Sequence, residues 1–340
     1  MPAEIVRQVD ALLAAVLDEN RLPPGLRAMI SYHVGWTDAA GTVLPDSKRT
    51  RYGGKKMRAV LCASACEAAG GTAGAAIPAA AAIELIQNFS LVHDDIEDGD
   101  RERRHRPTVW VHWGVPQAIN TGSAMQALVN ATVLRTPVAP ETVLDIMRAL
   151  TDAMVEMTEG QHLDIAFQGR NDVTVDEYSD MASRKTGALI EAAAYAGARL
   201  ATADATALKA WRSFGRSFGQ AFQGQDDLLG VVGDPKLTGK PVGNDIRARK
   251  KALPLVFACS HATSEDQRIL ASCLAEDPVS DSSVECVTGV MERSGAIAAT
   301  RAMVDERTSA ALSALANTGA RGRAAQRIRD MVLTAVGRER

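Results

Sequence analysis

Aromatic residues are scarce in this chain, at 4% of 340 residues. Runs that alternate apolar with polar side chains are few as well. A sheet-built protein is therefore excluded, and the alanine-rich remainder points to an all-α fold. No strong charge of one sign is present. A net charge of −3 gives no global drive toward nucleic acid or an anionic membrane, so no nucleic-acid partner is expected. The five cysteines (Cys62, Cys66, Cys259, Cys273, Cys286) show no zinc-like spacing with the six histidines, and His-Glu-x-x-His is missing. Cys62 and Cys66 share one face of a helix and read as small buried hydrophobes. No basic-then-apolar leader opens the chain. The longest apolar stretch, near Ala75 to Ile86, contains Pro78 and is too short to span a bilayer, so no transmembrane segment is expected. A soluble, cytoplasmic protein follows. No Pro/Ser-rich linker, internal repeat or low-complexity tail divides the sequence. Although the length exceeds that of a usual domain, the pattern predicts one large helical bundle over residues 1–340.

Periodicity and punctuation place the elements. Helices are expected over 3–20, from about 26, and over 56–69, the last stopped by Gly70-Gly71. Pro78 opens a further helix. Others are expected near 115–135, 140–168, 175–202, 204–232, 249–261, 264–275, 281–292, 294–315 and 319–337. Gly41 to Gly54, Arg101 to Pro107 and Gly233 to Gly243 read as loops or irregular segments.

What the chain does have is acid, concentrated twice and each time followed by base. The first segment is Asp94-Asp95-Ile96-Glu97-Asp98 with Arg103 and Arg104. The second is Asp226-Asp227-Leu228-Leu229-Gly230 with Lys240 and Lys250. Both follow apolar runs of helical spacing, where carboxylates need a partner or a metal. Asp94 and Asp98 lie one turn apart on one face. A solvated helix end is the plain alternative, but it would not need both signs so close together. Oxygen-only carboxylate sites suit Mg²⁺, which shares its shell with water and substrate phosphates. Arg and Lys beside them suit phosphate oxygens, so the pair of segments reads as a diphosphate site supplied in halves.

Other features are weaker on their own. Gln87, Ser90, Asp94 and Asp98 form one stripe, which fits a pocket wall and an ordinary surface face equally well. Gly53-Gly54-Lys55-Lys56-Met57-Arg58 puts a tight glycine pair before a cation-rich helix start, where phosphate is attracted and Lys55 and Arg58 would clamp it. The glycines around Lys240 lack the spacing of a Walker loop. Lys185-Thr186-Gly187 interrupts a helical pattern, and read alone it is an exposed lysine. His93 reads as a packing or hydrogen-bonding residue.

Taken together, these motifs resemble those of the trans-isoprenyl diphosphate synthases, the polyprenyl synthetase family, over about residues 50 to 260. Asp94, Asp95 and Asp98 with Arg103 and Arg104 match its first Asp-rich motif. Gly53 to Arg58 match its Gly-Gly-Lys-x-x-Arg, and Phe222, Gln223, Asp226 and Asp227 its second Asp-rich motif. The resemblance implies an isoprenoid synthase fold around a central cavity. It also implies a homodimer with helices near the first motif at the interface. By the same resemblance, three Mg²⁺ ions on Asp94, Asp98 and Asp226, with Asp227 in support, hold an allylic diphosphate together with Lys185, Lys240, Lys250 and Arg103. Isopentenyl diphosphate is held by Lys55, Arg58 and Arg104 near Gln87. The carbonyl of Lys185, with Thr186 and Gln223, faces the developing cation, and the diphosphate accepts the final proton.

Four positions depart from the family pattern: His105 where glycine is common, Gly230 in place of the last Asp of the second motif, Ser123 after Gly122, and Ala252 after Lys250. For product length the resemblance singles out Phe89 and Ser90, five and four positions before Asp94. Small Ser90 argues against a strict fifteen-carbon product and Phe89 against very long ones. The first motif also lacks the two-residue insertion of bacterial farnesyl synthases. This combination resembles geranylgeranyl diphosphate synthases; a farnesyl or longer product is the alternative. A class I terpene cyclase would need an Asn-x-x-x-Ser-x-x-x-Glu motif, which is lacking, and would leave Lys55 and Arg58 unexplained. A non-catalytic regulatory partner would explain Gly230 but not the intact first motif.

Overall fold

The computed structural model describes residues 2–170, 172–233 and 243–337. The chain is all-α apart from one two-stranded hairpin among the described residues. In chain order the elements are α1 (Pro2–Glu19), α2 (Pro24–His33), α3 (Asp46–Gly53), α4 (Met57–Ala68), a 3₁₀ turn (Ala73–Ala76) and α5 (Ile77–Glu97). The hairpin strands β1 (Glu102–Arg103) and β2 (Arg106–Pro107) precede α6 (Val109–Trp113), α7 (Val115–Val133) and α8 (Pro140–Gln168). Then come α9 (Val175–Ala182), a π turn (Ser183–Gly187), α10 (Ala188–Arg199) and α11 (Ala205–Val232). The rest are α12 (Asn244–Arg247), α13 (Leu253–His261), α14 (Ser264–Leu274), α15 (Asp281–Arg293), α16 (Ala296–Ala316) and α17 (Gly322–Val336). Packing groups them into two compact units, Met1–Thr151 with Ala193–Asp204, and Asp152–Ala192 with Ala205–Arg340.

In the first unit α5 is the central helix, packed on α1, α4 and α7. Its opening Ile77-Pro78-Ala79-Ala80-Ala81-Ala82 is wholly buried, and four successive alanines let neighbouring backbones come close. With the turn before it, α5 is long and apolar enough to cross a membrane, yet its most apolar part is mostly buried inside the protein, as befits a core helix. Its polar end is positioned by this burial. Ile83, Ile86, Phe89 and Val92 are buried while Gln87, Ser90, Asp94 and Asp98 stay half-buried. Cys62 and Cys66 are buried on α4, where burial pushes both thiols up, Cys66 to about 11; all five cysteines are free.

In the second unit the long α11 packs on α16, α13, α17 and the π turn. Trp211, Phe214 and Phe218 are fully buried, and an edge-and-stack series of rings at 5.8, 6.0 and 6.4 Å runs on to Phe222. Four of the chain's few aromatics thus stand on the helix that carries the second acidic motif. Two glycines seat the π turn. A Cβ at Gly160 of α8 would lie 2.3 Å from the Lys185 nitrogen, and one at Gly219 of α11 would lie 2.4 Å from the Gly187 Cα. Gly160→Ala is therefore expected to destabilise the protein by about 1–3 kcal/mol, because backbone and not a movable side chain opposes it. A displaced Lys185 should also lower turnover about 10²-fold. Thermal unfolding and steady-state kinetics check this against Gly74→Ala, which meets nothing within 4 Å.

Three expectations need correction. The stretch 41–54 is not loop throughout: α3 forms over Asp46–Gly53, with Pro45 before it and acidic Asp46 in its first turn. Its only buried residue is Gly53, so no apolar period marks it in the sequence. Arg101 to Pro107 is not irregular but a hairpin pairing Glu102 with Pro107 and Arg103 with Arg106. Finally, α6 was unexpected; it is a five-residue turn whose Trp110 donates to the Asp100 carbonyl at 2.9 Å.

Candidate active site

The first unit gathers the first acidic motif, the hairpin arginines and the Gly-Gly-Lys segment. Asp94 lies in the last turn of α5 and Asp98 caps it, its amide donating to the Asp94 carbonyl at 2.8 Å. Both are half-buried on the stripe with Gln87 and Ser90. Asp95 points the other way, 1% exposed, and accepts from Arg103 Nε at 2.6 Å. Burial raises its pKa to about 6 against the pull of Arg103. Arg103 is thereby anchored by the acidic motif itself.

Arg104 and His105 form the hairpin turn, with φ of 53° and 60°. Two left-handed residues in a two-residue loop make a type I′ turn, which glycine or asparagine would occupy more easily. Each non-glycine residue there costs about 1–2 kcal/mol, and histidine is among the side chains that tolerate it better. Arg104 donates to the Tyr52 carbonyl at 2.8 Å, and its guanidinium lies against Gly54, where a Cβ would be 2.7 Å away. Gly54, at φ 73° and ψ 177°, also has a backbone that only glycine adopts readily. Lys55 is exposed and Arg58 half-buried at the start of α4.

Sequence reading missed the buried acid beneath these cations. Glu84 of α5 is 4% exposed, feels Lys56, Arg58 and Arg104, and accepts from the Ala59 amide; burial raises its pKa. Glu84 thus holds one amide at the α4 N-terminus that the sequence assigned to phosphate. Lys56, also buried, pairs with Asp10 of α1 at 3.3 Å. His33, half-buried near the hairpin arginines, is held well below its usual pKa by desolvation. A small cavity of ≈ 20 Å³ at the hairpin is lined among others by His33, Tyr32, Tyr52 and Asp95, room for about one water.

His93 packs as expected: its ring is 6.0 Å from Phe89 and lies on Gly122, where a Cβ would come within 2.3 Å. Phe89 is buried beside the stripe and Ser90 is on it. Ser123 is exposed on α7.

The second unit gathers Lys185, Thr186, Gln223, Asp226, Asp227 and Lys250. The π turn, an insertion common at functional sites, breaks the helix at Lys185 and Thr186. Lys185 is not an exposed lysine; its side chain is 24% exposed and pairs with Asp164. Arg216 bridges Glu156 and Glu191 and donates to the Ser183 carbonyl at 3.0 Å, securing the turn. Thr186 donates to Gln223 Oε1 at 2.6 Å, and Gln223 donates to Asp227 Oδ1 at 2.8 Å. Hydroxyl and amide are therefore oriented, with Thr186 as the donor and the Gln223 oxygen as its acceptor.

Asp227, expected among the metal ligands, has both oxygens committed elsewhere. It is 6% exposed and accepts from Gln223, Tyr178 and the Leu253 amide, the last at 2.7 Å. Burial lifts its pKa to about 7. Ala252, at the N-cap of α13, offers no side-chain oxygen, and Asp227 satisfies that helix end instead. Asp226, next to Asp227 on α11, is half-buried. At Gly230 a Cβ would meet Asp245 Oδ2 at 1.9 Å, so a carboxylate from α12 already fills the space of the missing acid. Lys250 is half-buried just after α12; Lys240 lies outside the described residues.

Among the described residues no three acidic, His or Cys side chains form a ready cage. Carboxylates held singly and in pairs beside arginines and lysines fit Mg²⁺ bound jointly with a diphosphate.

Solved structures of similar shape define the class. A polyprenyl synthetase from Streptomyces coelicolor A3(2) superposes with a TM-score of 0.88 at 33% identity over 98% of both chains. A geranylgeranyl pyrophosphate synthetase from Pyrococcus horikoshii Ot3 gives 0.80 at 31%, covering 96% of this chain and 98% of that one. The fold is that of the isoprenoid synthases. The polyprenyl synthetase profile matches residues 47–291, and the chain belongs to that family; it is a trans-prenyltransferase. It is 39% identical to a (2E,6E)-farnesyl diphosphate synthase of Mycobacterium tuberculosis H37Rv, over 94% of this chain and 88% of that protein. It is 40% identical to a geranylgeranyl diphosphate synthase of the same organism, over 89% and 85%.

Proposed function

We propose that this synthase condenses isopentenyl diphosphate with an allylic diphosphate (dimethylallyl, geranyl or farnesyl) and releases geranylgeranyl diphosphate. Three Mg²⁺ ions bound by Asp94, Asp98 and Asp226 would neutralise the leaving diphosphate. Arg103, Lys185, Lys240 and Lys250 bind the allylic diphosphate oxygens, and Lys55, Arg58 and Arg104 hold isopentenyl diphosphate near Gln87. The Thr186 hydroxyl and Gln223, fixed by Asp227, turn partial negative charge toward the allylic cation. Asp95 acts through Arg103 and not as a ligand, since Arg103 takes one of its oxygens. Exclusion of water preserves the cation until the double bond attacks. Exposed Val115 and Ile119 on α7 support a homodimer using that face.

The observation that carries the product assignment is the stripe below Asp94. Small Ser90 lies on it one turn before Asp94, and Phe89, buried with its ring 6.0 Å from that of His93, is the bulky neighbour that the family resemblance makes the limit on chain length. The 39% identical farnesyl synthase favours a fifteen-carbon product as the second reading. Incubating the protein with Mg²⁺, isopentenyl diphosphate and each primer separately is expected to yield the twenty-carbon diphosphate, and no product after chelation. A fifteen-carbon end product overturns the chain-length reading, and no elongation overturns the whole assignment.

A further inference from the structure

We infer that Arg106 is a positioning residue for isopentenyl diphosphate: seated against Tyr32 and Tyr52, it holds a strained hairpin so that Arg104 faces its ligand. The inference rests on the reading of Arg104 given above.

The hairpin has little to hold it from within. Its ladder is two residues per strand, far short of what stands alone, and both turn residues are left-handed without being glycine. Support has to come from outside the hairpin. The Arg106 guanidinium carbon lies 3.8 Å from the Tyr32 ring centroid and 4.8 Å from that of Tyr52. Its nitrogens donate to the carbonyls of Thr37 at 2.8 Å and Tyr32 at 3.3 Å. Tyr32 returns a bond from its hydroxyl to the Pro107 carbonyl at 2.7 Å. Two aromatic faces and two carbonyls thus fix β2 to α2, α3 and the loop between them. The planar guanidinium suits this seat, which a lysine ammonium would fill poorly.

Tyr52 carries the effect to the ligand-binding side. Its ring meets Arg106 while its carbonyl accepts from Arg104. Arg103 has an independent anchor in Asp95, so loss of Arg106 should fall on Arg104 more than on Arg103.

The test is steady-state kinetics of Arg106→Ala, His105→Gly and the double variant, with amide hydrogen exchange over residues 101–107. Arg106→Ala is expected to raise KM for isopentenyl diphosphate about 10-fold or more, the worth of one misplaced charge-assisted phosphate contact. kcat and the allylic KM should stay within about 3-fold. His105→Gly in the same chain is expected to bring KM back within about 3-fold, because glycine takes the left-handed turn without strain. Exchange over 101–107 should rise in Arg106→Ala and fall again in the double variant. An unchanged KM, or a raised KM that glycine does not relieve, overturns the inference. If the wild-type chain consumes no isopentenyl diphosphate, the proposed function has failed instead. Exchange still decides the structural claim in that case, and wild-type protection in Arg106→Ala refutes it.

Discussion

Asp94→Ala is expected to lower turnover about 10³-fold or more while leaving the melting temperature unchanged or slightly raised. The two halves of this expectation have separate causes. Asp94 supplies a carboxylate to the proposed Mg²⁺ site, and losing a group that stabilises the departing diphosphate removes about 4 kcal/mol of barrier lowering. For the fold, the same carboxylate is in the wrong place. It stands in the last turn of α5, which has no basic residue there, facing the negative end of the helix dipole. Removing an acid from such a position stabilises a helix by about 0.3–1 kcal/mol. A loss of activity without a loss of stability separates a working site from a scaffold. Turnover within about 10-fold of wild type would remove Asp94 from the metal site.

Asp227→Ala is expected to unfold the second unit more readily, by about 3 kcal/mol or more, because three buried donors lose their acceptor together. Those donors are the Tyr178 hydroxyl, the Gln223 amide and the Leu253 backbone N–H. Asp227→Asn is the more informative change. Its new NH₂ must avoid the Leu253 donor, so it turns toward Gln223, whose amide then has to flip. The flip reverses the Thr186–Gln223 bond and points N–H where partial negative charge is needed. A folded protein with kcat down about 10²-fold is the expected result.

The asparagine variant also carries a pH signature. Burial lifts the Asp227 pKa from its ordinary 3.8 to about 7 in the folded protein. Between those values the folded state keeps a proton that the unfolded chain has released, so stability falls as pH rises through that window. Asn cannot titrate. Thermal unfolding of Asp227→Asn from pH 4 to 7.5 should therefore show a shallower decline than wild type. An identical slope in the two proteins would mean that Asp227 is ionised throughout.

Much of this protein was legible in its sequence. The long apolar-periodic helices fell close to their expected bounds, because burial of one face writes a period into the chain. Asp94, Asp98, Arg103 and Arg104 could be proposed as site residues because their spacing is local. What escaped had no local mark. The polar α3 buries only a glycine, and the β1–β2 hairpin uses arginine and histidine where a turn signal would have been glycine. Glu84 and Asp227 owe their roles to partners far along the chain, Arg104 for one and Tyr178 for the other. The π turn at Lys185 depends on glycines in α8 and α11, and no window centred on Lys185 contains both.

The profile match spans 47–291, yet contacts that support the motifs reach beyond it on both sides. Asp10, upstream of that span, supplies the counter-charge of buried Lys56. Downstream, Val304 of α16 packs on Gly224, two residues before Asp226, and Thr300, Thr308, Ala311 and Leu315 are buried along the same helix. A chain trimmed to the matching span would keep every motif that identifies it. It would also leave an ammonium buried without its acid and the principal face of α11 bare to water.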